Sequence, residues 1–229
     1  MGRSYANLRK DPSAPYVIPF AVFVLLLFLS QWLQLPDIVD APVRFFLLAA
    51  VLYFCSRKVI DIRATRWLPT ILLGAGVFVL WIAPDLLWPH YRESWMFHNA
   101  LLVATAHGSL SVAGRQNGIV LAFRTARAAL IVPLVEELFW RAWLMRWLIA
   151  PDFRSVRLGT YTAASFWITA ILFASEHGSF WAVGLITGII YNWWMLRTRS
   201  LGDLIWTHAI TNACLCGYVI ATHNWEYWM

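Results

Sequence analysis

The chain has 229 residues, of which 60% are apolar and 13% are charged, with a formal net charge of +6. Soluble domains carry about 25% charged residues, so this composition excludes a water-soluble globular protein and indicates lipid as the solvent. The Lys and Arg residues lie mostly between apolar runs, which indicates membrane topology rather than nucleic-acid binding. The predicted fold class is therefore all-α, a polytopic bundle of about seven or eight transmembrane helices in a single integral membrane domain, 1–229.

The apolar runs predict the spanning helices, each of which needs roughly 20 apolar residues. In chain order the predicted spans are residues 16–35, 42–56, 68–88, 118–140, 160–177, 180–196 and 202–221. A weaker run at 97–113, which contains His98 and His107, is predicted to be re-entrant or interfacial. Gly184 and Gly188 are four residues apart in the sixth run and predict close helix packing.

The basic residues predict the orientation of the chain. They lie mainly before the first run and after the second, fourth and sixth runs: Arg3, Arg9, Lys10, Arg57, Lys58, Arg63, Arg66, Arg141, Arg146, Arg154, Arg157, Arg197 and Arg199. The positive-inside rule then predicts a cytoplasmic N-terminus.

The fourth run contains two adjacent carboxylates, Glu136 and Glu137, followed by Arg141. Charge within the hydrocarbon core is costly, so such residues are candidates for function. Glu137 and Arg141 are four residues apart in the favourable order for a helical ion pair, whereas Glu136 points about 100° away. The pattern therefore leaves Glu136 unpaired, as a general-base candidate. The alternative interpretation is an ion pair with an interfacial glutamate.

Two further motifs place imidazole and amide groups in apolar runs. Phe173 and His177 are four residues apart on one helical face, and so are His208 and Asn212. Taken alone, the favoured explanation of His177 is an interfacial position, and that of the His208 pair is hydrogen bonding between helices.

Arg124 and Arg127 also lie well inside the fourth run. They are predicted either to pair with a carboxylate or to extend towards the interface, and no catalytic role is assigned to them. The candidate carboxylates are Glu136, Glu176 and Asp203.

Hairpin geometry brings the first two motifs together. If helices end near Ala150 and resume near Thr160, Glu136 and His177 lie roughly 21 and 25 Å from the turn, so their side chains can be level. A carboxylate beside an imidazole can activate water, and His208 with Asn212 could donate to an oxyanion. The orientation raises one conflict, because it puts His177 towards the external half and His208 in the inner half. A mid-membrane site reconciles them.

Together the three motifs resemble those of the CAAX protease and bacteriocin-processing family, also called CPBP or Abi. The family pattern is EExxxR, FxxxH and HxxxN on successive membrane helices, and this sequence has it in that order within a motif-bearing core at 118–221. The Val132-Pro133-Leu134-Val135 lead-in and the short chain further resemble the bacterial subgroup linked to exosortase systems, which implies a bacterial inner membrane.

The resemblance implies a glutamate-dependent intramembrane endopeptidase acting on a membrane-associated peptide or protein, with or without a lipid modification. Glu136 and His177 would activate water, His208 and Asn212 would form the oxyanion hole, and the supporting residues would be Glu137, Arg141 and Phe173. It implies no cofactor, although Glu136, His177 and His208 could also form a three-ligand zinc site. The predicted partners are membrane lipid and the substrate, without nucleic acid.

Two other function classes stay open. The first is a catalytically idle membrane scaffold or bacteriocin-immunity protein, which would tolerate loss of Glu136 and His177. The second is a small transporter or channel that uses the polar residues as a proton path, although no inverted repeat is visible. A soluble serine hydrolase is disfavoured because the sequence lacks a GxSxG motif.

Overall fold

A computed structural model describes residues 11–30, 32–33, 35–94, 97 and 110–228. Within these residues the structure contains eight helices and no strand, which confirms the all-α fold class. The basic residues Arg3, Arg9 and Lys10, and both histidines of the weak 97–113 run, lie outside the described residues.

The helices follow the predicted runs closely. They are α1 (Ala14–Ser30), α2 (Asp37–Ser56), α3 (Trp67–Leu87), a short α4 (Val112–Arg115), α5 (Gly118–Trp147), α6 (Ala163–Ser175), α7 (Gly178–Thr198, which opens with a 3₁₀ turn) and α8 (Leu201–Thr222). Five of them, α2, α3, α5, α7 and α8, are long and apolar enough to cross a membrane, and α1 and α6 are shorter apolar helices.

Two predicted boundaries need correction. The sequence predicts that the fourth span ends at residue 140, but α5 continues to Trp147 and is 30 residues long. It also predicts a fifth span that includes His177, but α6 ends at Ser175 and has only 13 residues. His177 therefore lies in the turn after α6, where Gly178 adopts a φ of +52°, a conformation that glycine reaches without strain.

Helix α5 is not a regular α-helix. It contains π-helical turns at Arg127–Ile131 and Leu138–Leu144. The first precedes Pro133, whose ring nitrogen carries no hydrogen. Because the Val132 N–H donates to the Arg127 carbonyl, in the i to i−5 pattern, the next donor in that pattern would be Pro133. The Ala128 carbonyl therefore lacks its helical partner.

Small residues set the closest helix contacts, as the sequence predicted for Gly184 and Gly188. A Cβ on Gly188 would lie 3.1 Å from the Ala170 carbonyl oxygen, and one on Gly184 would lie 3.2 Å from the His177 ring. Helix α3 approaches α8 in the same way, because a Cβ on Gly74 would lie 2.7 Å from the Thr207 carbonyl oxygen. These contacts bring α3, α6, α7 and α8 together around the motifs.

Candidate active site

The four residues predicted to be catalytic line one cavity of about 450 Å³. Glu136 comes from α5, His177 from the turn after α6, and His208 and Asn212 from α8. The sequence predicted His177 and His208 at different depths in the membrane. Because α6 is only roughly 20 Å long, His177 lies at the level of His208 and this conflict disappears. The Phe173 ring packs near both histidines, with its centroid 4.7 Å from that of His177 and 6.3 Å from that of His208.

The Glu137 carboxylate is fully buried and accepts hydrogen bonds from two sides. Arg141 Nη1 lies 3.1 Å from Glu137 Oε1 and 3.2 Å from Oε2, and His208 Nδ1 lies 2.8 Å from Oε1. The Arg141 Nε donates to Asn192 Oδ1 at 3.0 Å, and Asn192 Nδ2 donates to the Phe166 carbonyl at 2.8 Å. Each charge in this network has a partner, which a desolvated interior requires.

The network also orients His208. Because a carboxylate accepts at Nδ1, that nitrogen carries a hydrogen and Nε2 is directed elsewhere. Nε2 lies 4.0 Å from Glu136 Oε2. The Tyr191 ring packs against the imidazole at a centroid distance of 5.2 Å. Glu137 and Arg141 therefore lie behind the cavity wall and hold His208 in place.

Glu136 differs from Glu137 although the two are adjacent. Its side chain is 7% exposed, and Oε2 has no hydrogen-bond partner among the described residues. The predicted division of roles, with Arg141 paired to Glu137 and not to Glu136, is present in the structure. A buried carboxylate oxygen left unsatisfied is unfavourable unless water or a ligand occupies the space beside it, so Glu136 is the group most suited to hold water in the cavity.

The position of His177 depends on three neighbours. Its Nδ1 lies 2.7 Å from the Phe173 carbonyl oxygen, which can only accept, so Nδ1 donates and Nε2 is the acceptor. Trp81 of α3 packs against the His177 ring, with the two ring centroids 5.3 Å apart. The ring fits beside Gly184 because this residue has no Cβ. An imidazole held with Nε2 as acceptor can take a proton from water.

Asn212 has a structural contact in addition to its place in the cavity. Its Nδ2 donates at 2.9 Å to the Ala128 carbonyl, the group left without a helical partner before Pro133. An amide nitrogen carries two hydrogens, so one remains to donate into the cavity. Its hydrogen bond to α5 fixes the direction of that second hydrogen.

Arg124 and Arg127 also line the cavity, near the N-terminal part of α5. Among the described residues, the ion pairs of Glu136 and Glu137 are with His208 and Arg141 and do not include Arg127. Asp203 instead accepts hydrogen bonds from the Thr65 and Arg66 backbone nitrogens at 2.7 and 3.0 Å. Glu176 lines the cavity and accepts from Trp140 Nε1 at 2.9 Å.

The segment after α8 forms one end of the cavity, through Tyr227 and Trp228. The Tyr227 hydroxyl donates to Asp85 Oδ2 of α3 at 2.5 Å, and Arg92 bridges Asp85 and Glu226 at 2.7 and 3.1 Å. Burial, reinforced by the bond to Asp85, raises the pKa of Tyr227 above its usual range. The phenol therefore remains a donor and fastens this segment to α3.

Sequence reasoning missed three residues that position the site: Trp81, Tyr191 and Asn192. Asn192 alone carried a visible signal, as a lone amide within an apolar run. Trp81 and Tyr191 are aromatic residues among many, and only the packed structure shows them against His177 and His208.

The zinc alternative depends on how the possible metal ligands are arranged. Within the described ranges, no group of three His, Cys, Asp or Glu side chains is arranged to hold a metal ion. His177 directs one ring nitrogen to a backbone carbonyl and His208 directs one to Glu137, which leaves a single nitrogen on each that faces the cavity.

Residues 117–214 match the family described as Type II CAAX prenyl endopeptidase Rce1-like. This match confirms the resemblance to the CAAX protease family over the region that carries the three motifs and the cavity. The link to the exosortase-associated subgroup stays a prediction. No curated protein and no solved structure matches the chain. The protein is thus an integral membrane protein whose motif-bearing region is similar to a protease family.

Proposed function

We propose that the protein is an intramembrane endopeptidase that hydrolyses a peptide bond in a membrane-associated peptide or protein. The observation that carries this proposal is the cavity shared by Glu136, His177, His208 and Asn212, with Glu136 Oε2 lacking a partner among the described residues. The protease family of the matching region supports it. The proposed setting is a bacterial inner membrane with a cytoplasmic N-terminus.

In the proposed reaction Glu136 and His177 hold a water molecule in the cavity. As the water oxygen bonds to the substrate carbonyl carbon, its proton passes to the Glu136 carboxylate. His208 and Asn212 donate hydrogen bonds to the oxygen that becomes negative, and such donors commonly contribute about 10²–10³-fold in rate. When the C–N bond breaks, Glu136 returns the proton to the leaving amine. One water is consumed and two peptide fragments result.

Glu137 and Arg141 act through His208 in this scheme. The Glu137 carboxylate stabilises a proton on the His208 ring, which strengthens Nε2 as a donor towards the oxyanion. Phe173 supports the site in two ways, since its carbonyl oxygen orients His177 and its ring packs near both histidines. The proposed mechanism uses no metal ion.

The test is cleavage of N-acylated peptides with randomised sequences by the purified full chain, with products identified by mass spectrometry. Wild type, Glu136→Gln and His177→Ala are compared in the presence and absence of a chelator. We expect new peptide termini with wild type only, unaffected by the chelator. Glu136→Gln preserves the shape of the side chain, so its loss of activity would report the carboxylate itself.

The contrary outcomes point to the other function classes. Equal cleavage by wild type and both folded variants would reject the glutamate-dependent mechanism, and loss of wild-type cleavage with the chelator would favour the zinc alternative. A wild-type protein without hydrolytic activity towards any peptide would favour the idle scaffold or immunity protein. Arg154→Gln serves as a matched control, because its side chain is 65% exposed in a loop away from the cavity.

A further inference from the structure

A second cavity, of about 470 Å³, shares no lining residue with the cavity of Glu136. Its walls come from the start of α1, the connection between α2 and α3, the last turns of α5, the loop after α5 and the junction of α7 with α8. In the orientation that the basic residues predict, these helix ends all face the cytoplasm. The proposed hydrolysis uses no residue of this second cavity.

Exposed tryptophans indicate the depth of the second cavity in the membrane. Trp67 at the start of α3, Trp147 at the end of α5 and Trp193 near the end of α7 are each between 44 and 50% exposed. Tryptophan side chains are enriched at the membrane–water interface. Because these residues lie at the same helix ends that form the cavity, the cavity is at the level of the lipid head groups.

The lining of the second cavity is positively charged. Arg63, Arg146 and Arg199 contribute to it, and Asp61 is the one carboxylate among the described lining residues. Asp61 Oδ1 already accepts a hydrogen bond from the Arg63 backbone nitrogen at 3.0 Å. All 12 Asp and Glu residues of the chain are described, and none of them forms an ion pair with these three arginines.

Contacts with neutral groups position two of these arginines. Arg146 Nε donates to the Ala142 carbonyl at 2.6 Å, and Arg146 Nη1 donates to the Val156 carbonyl at 3.3 Å. The stem of Arg199 lies against the loop after α5, because a Cβ on Gly159 would be 2.9 Å from Arg199 Cγ. A carbonyl oxygen orients a guanidinium but carries no net charge, so the cavity keeps its positive charge.

We propose that the second cavity binds the phosphate group of an anionic phospholipid from the leaflet at this end of the bundle. Guanidinium groups donate paired hydrogen bonds to phosphate oxygens, and basic pockets between transmembrane helices on the cytoplasmic side suit anionic head groups. Val59, Leu158 and Leu201 also line the cavity. These apolar side chains suit the glycerol and upper acyl carbons of a lipid, whereas a soluble phosphate would leave them uncovered.

The test counts lipids bound to the purified full chain by native mass spectrometry. The protein is released from detergent micelles that contain equal amounts of phosphatidylglycerol and phosphatidylcholine with identical acyl chains. We expect phosphatidylglycerol to be retained about tenfold or more above phosphatidylcholine, because each basic residue close to a lipid anion contributes about fivefold. Cleavage is not measured, so a wild type without hydrolytic activity would contradict the peptidase function and leave a measured lipid preference intact.

Two triple variants remove the same number of positive charges from the same end of the bundle. The cavity variant should reduce the preference to near unity, and it combines Arg63→Gln, Arg146→Gln and Arg199→Gln. The matched control should keep the preference, because its residues do not line the cavity, and it combines Arg57→Gln, Lys58→Gln and Arg154→Gln. If the cavity variant fails to fold, the double variant of the exposed Arg63 and Arg199 replaces it, and it should lower the preference about fivefold or more.

Four outcomes overturn the proposal. Wild type that retains the two lipids equally, or retains neither, shows no site for an anionic lipid. A preference that survives the cavity variant, or its double replacement, places the site elsewhere. An equal loss in the matched control shows attraction by net charge alone. Saturable binding of inorganic phosphate in calorimetry, without a preference between the lipids, would assign the cavity to a soluble phosphate.

Discussion

Gly184→Ala tests whether the position of His177 governs activity without altering any polar group of the site. The new Cβ would lie 3.2 Å from the Cβ, Cγ and Nδ1 atoms of His177, whereas carbon atoms in favourable contact are about 3.5–4.0 Å apart. The ring must therefore move by a few tenths of an ångström. Trp81 and Phe173 also pack against this ring, and its movement would disturb the hydrogen bond to the Phe173 carbonyl oxygen.

The expected magnitude follows from how sharply catalysis depends on geometry. Displacement of a reacting group by about 1 Å can cost about 10²-fold in rate, so a shift of a few tenths should lower kcat by up to about tenfold. Stability should change little, because the gain of about 1 kcal/mol from replacing a helical glycine by alanine offsets about 1 kcal/mol or more of overpacking. The assay is peptide cleavage under saturating substrate, with thermal unfolding measured in parallel.

Gly217→Ala provides the matched control. Gly217 lies in α8, and no described atom beyond the adjacent residues and backbone of its own helix is within 4 Å of the position that the new methyl group would take. This variant therefore gains the same helix propensity without touching His177. Its kcat should equal that of wild type. The reasoning is refuted if Gly184→Ala folds and cleaves at the wild-type rate, since the contact with His177 would then have no catalytic consequence.

Three further predictions concern the groups that hold the site together. Arg141→Met should lower the free energy of unfolding by about 3–5 kcal/mol, because it leaves Glu137 buried without its cation. Adding Glu137→Leu should restore much of that loss. Equal melting temperatures for wild type and Arg141→Met would contradict this prediction. Asn212→Leu should remove both the proposed oxyanion donor and the hydrogen bond to the Ala128 carbonyl. We expect kcat to fall by about 10²-fold or more and the free energy of unfolding to fall by about 1–3 kcal/mol. A kcat close to that of wild type would count against the oxyanion role. Tyr227→Phe should release the segment after α8 from α3, and amide hydrogen exchange at residues 223–228 should then become faster. Unchanged exchange would show that Arg92 alone holds this segment against α3.

The helices and the partners of the charged motif were predictable because each depends on local periodicity. Apolar runs define where α2, α3, α7 and α8 lie to within a few residues. The spacing of four between Glu137 and Arg141 predicts their ion pair, which the structure contains at 3.1 Å. The same spacing predicts that Glu136 points elsewhere, and its Oε2 indeed has no partner among the described residues.

What the sequence could not predict depends on contacts between helices. The short α6 and the turn at Gly178 decide that His177 reaches the level of His208, and neither follows from hydropathy. The carbonyl that Asn212 binds is exposed by a π-helical turn before Pro133, a departure from the α-helical spacing on which periodicity depends.

Within the described residues, the two adjacent carboxylates of α5 differ in their surroundings. Glu137 is paired with Arg141 and with His208, so it needs no donor from the cavity. Glu136 Oε2 is buried and has no hydrogen-bond partner, so a water molecule in the cavity would satisfy it without disturbing the pairs behind the wall. This difference predicts that Glu136→Gln abolishes kcat in the peptide-cleavage assay.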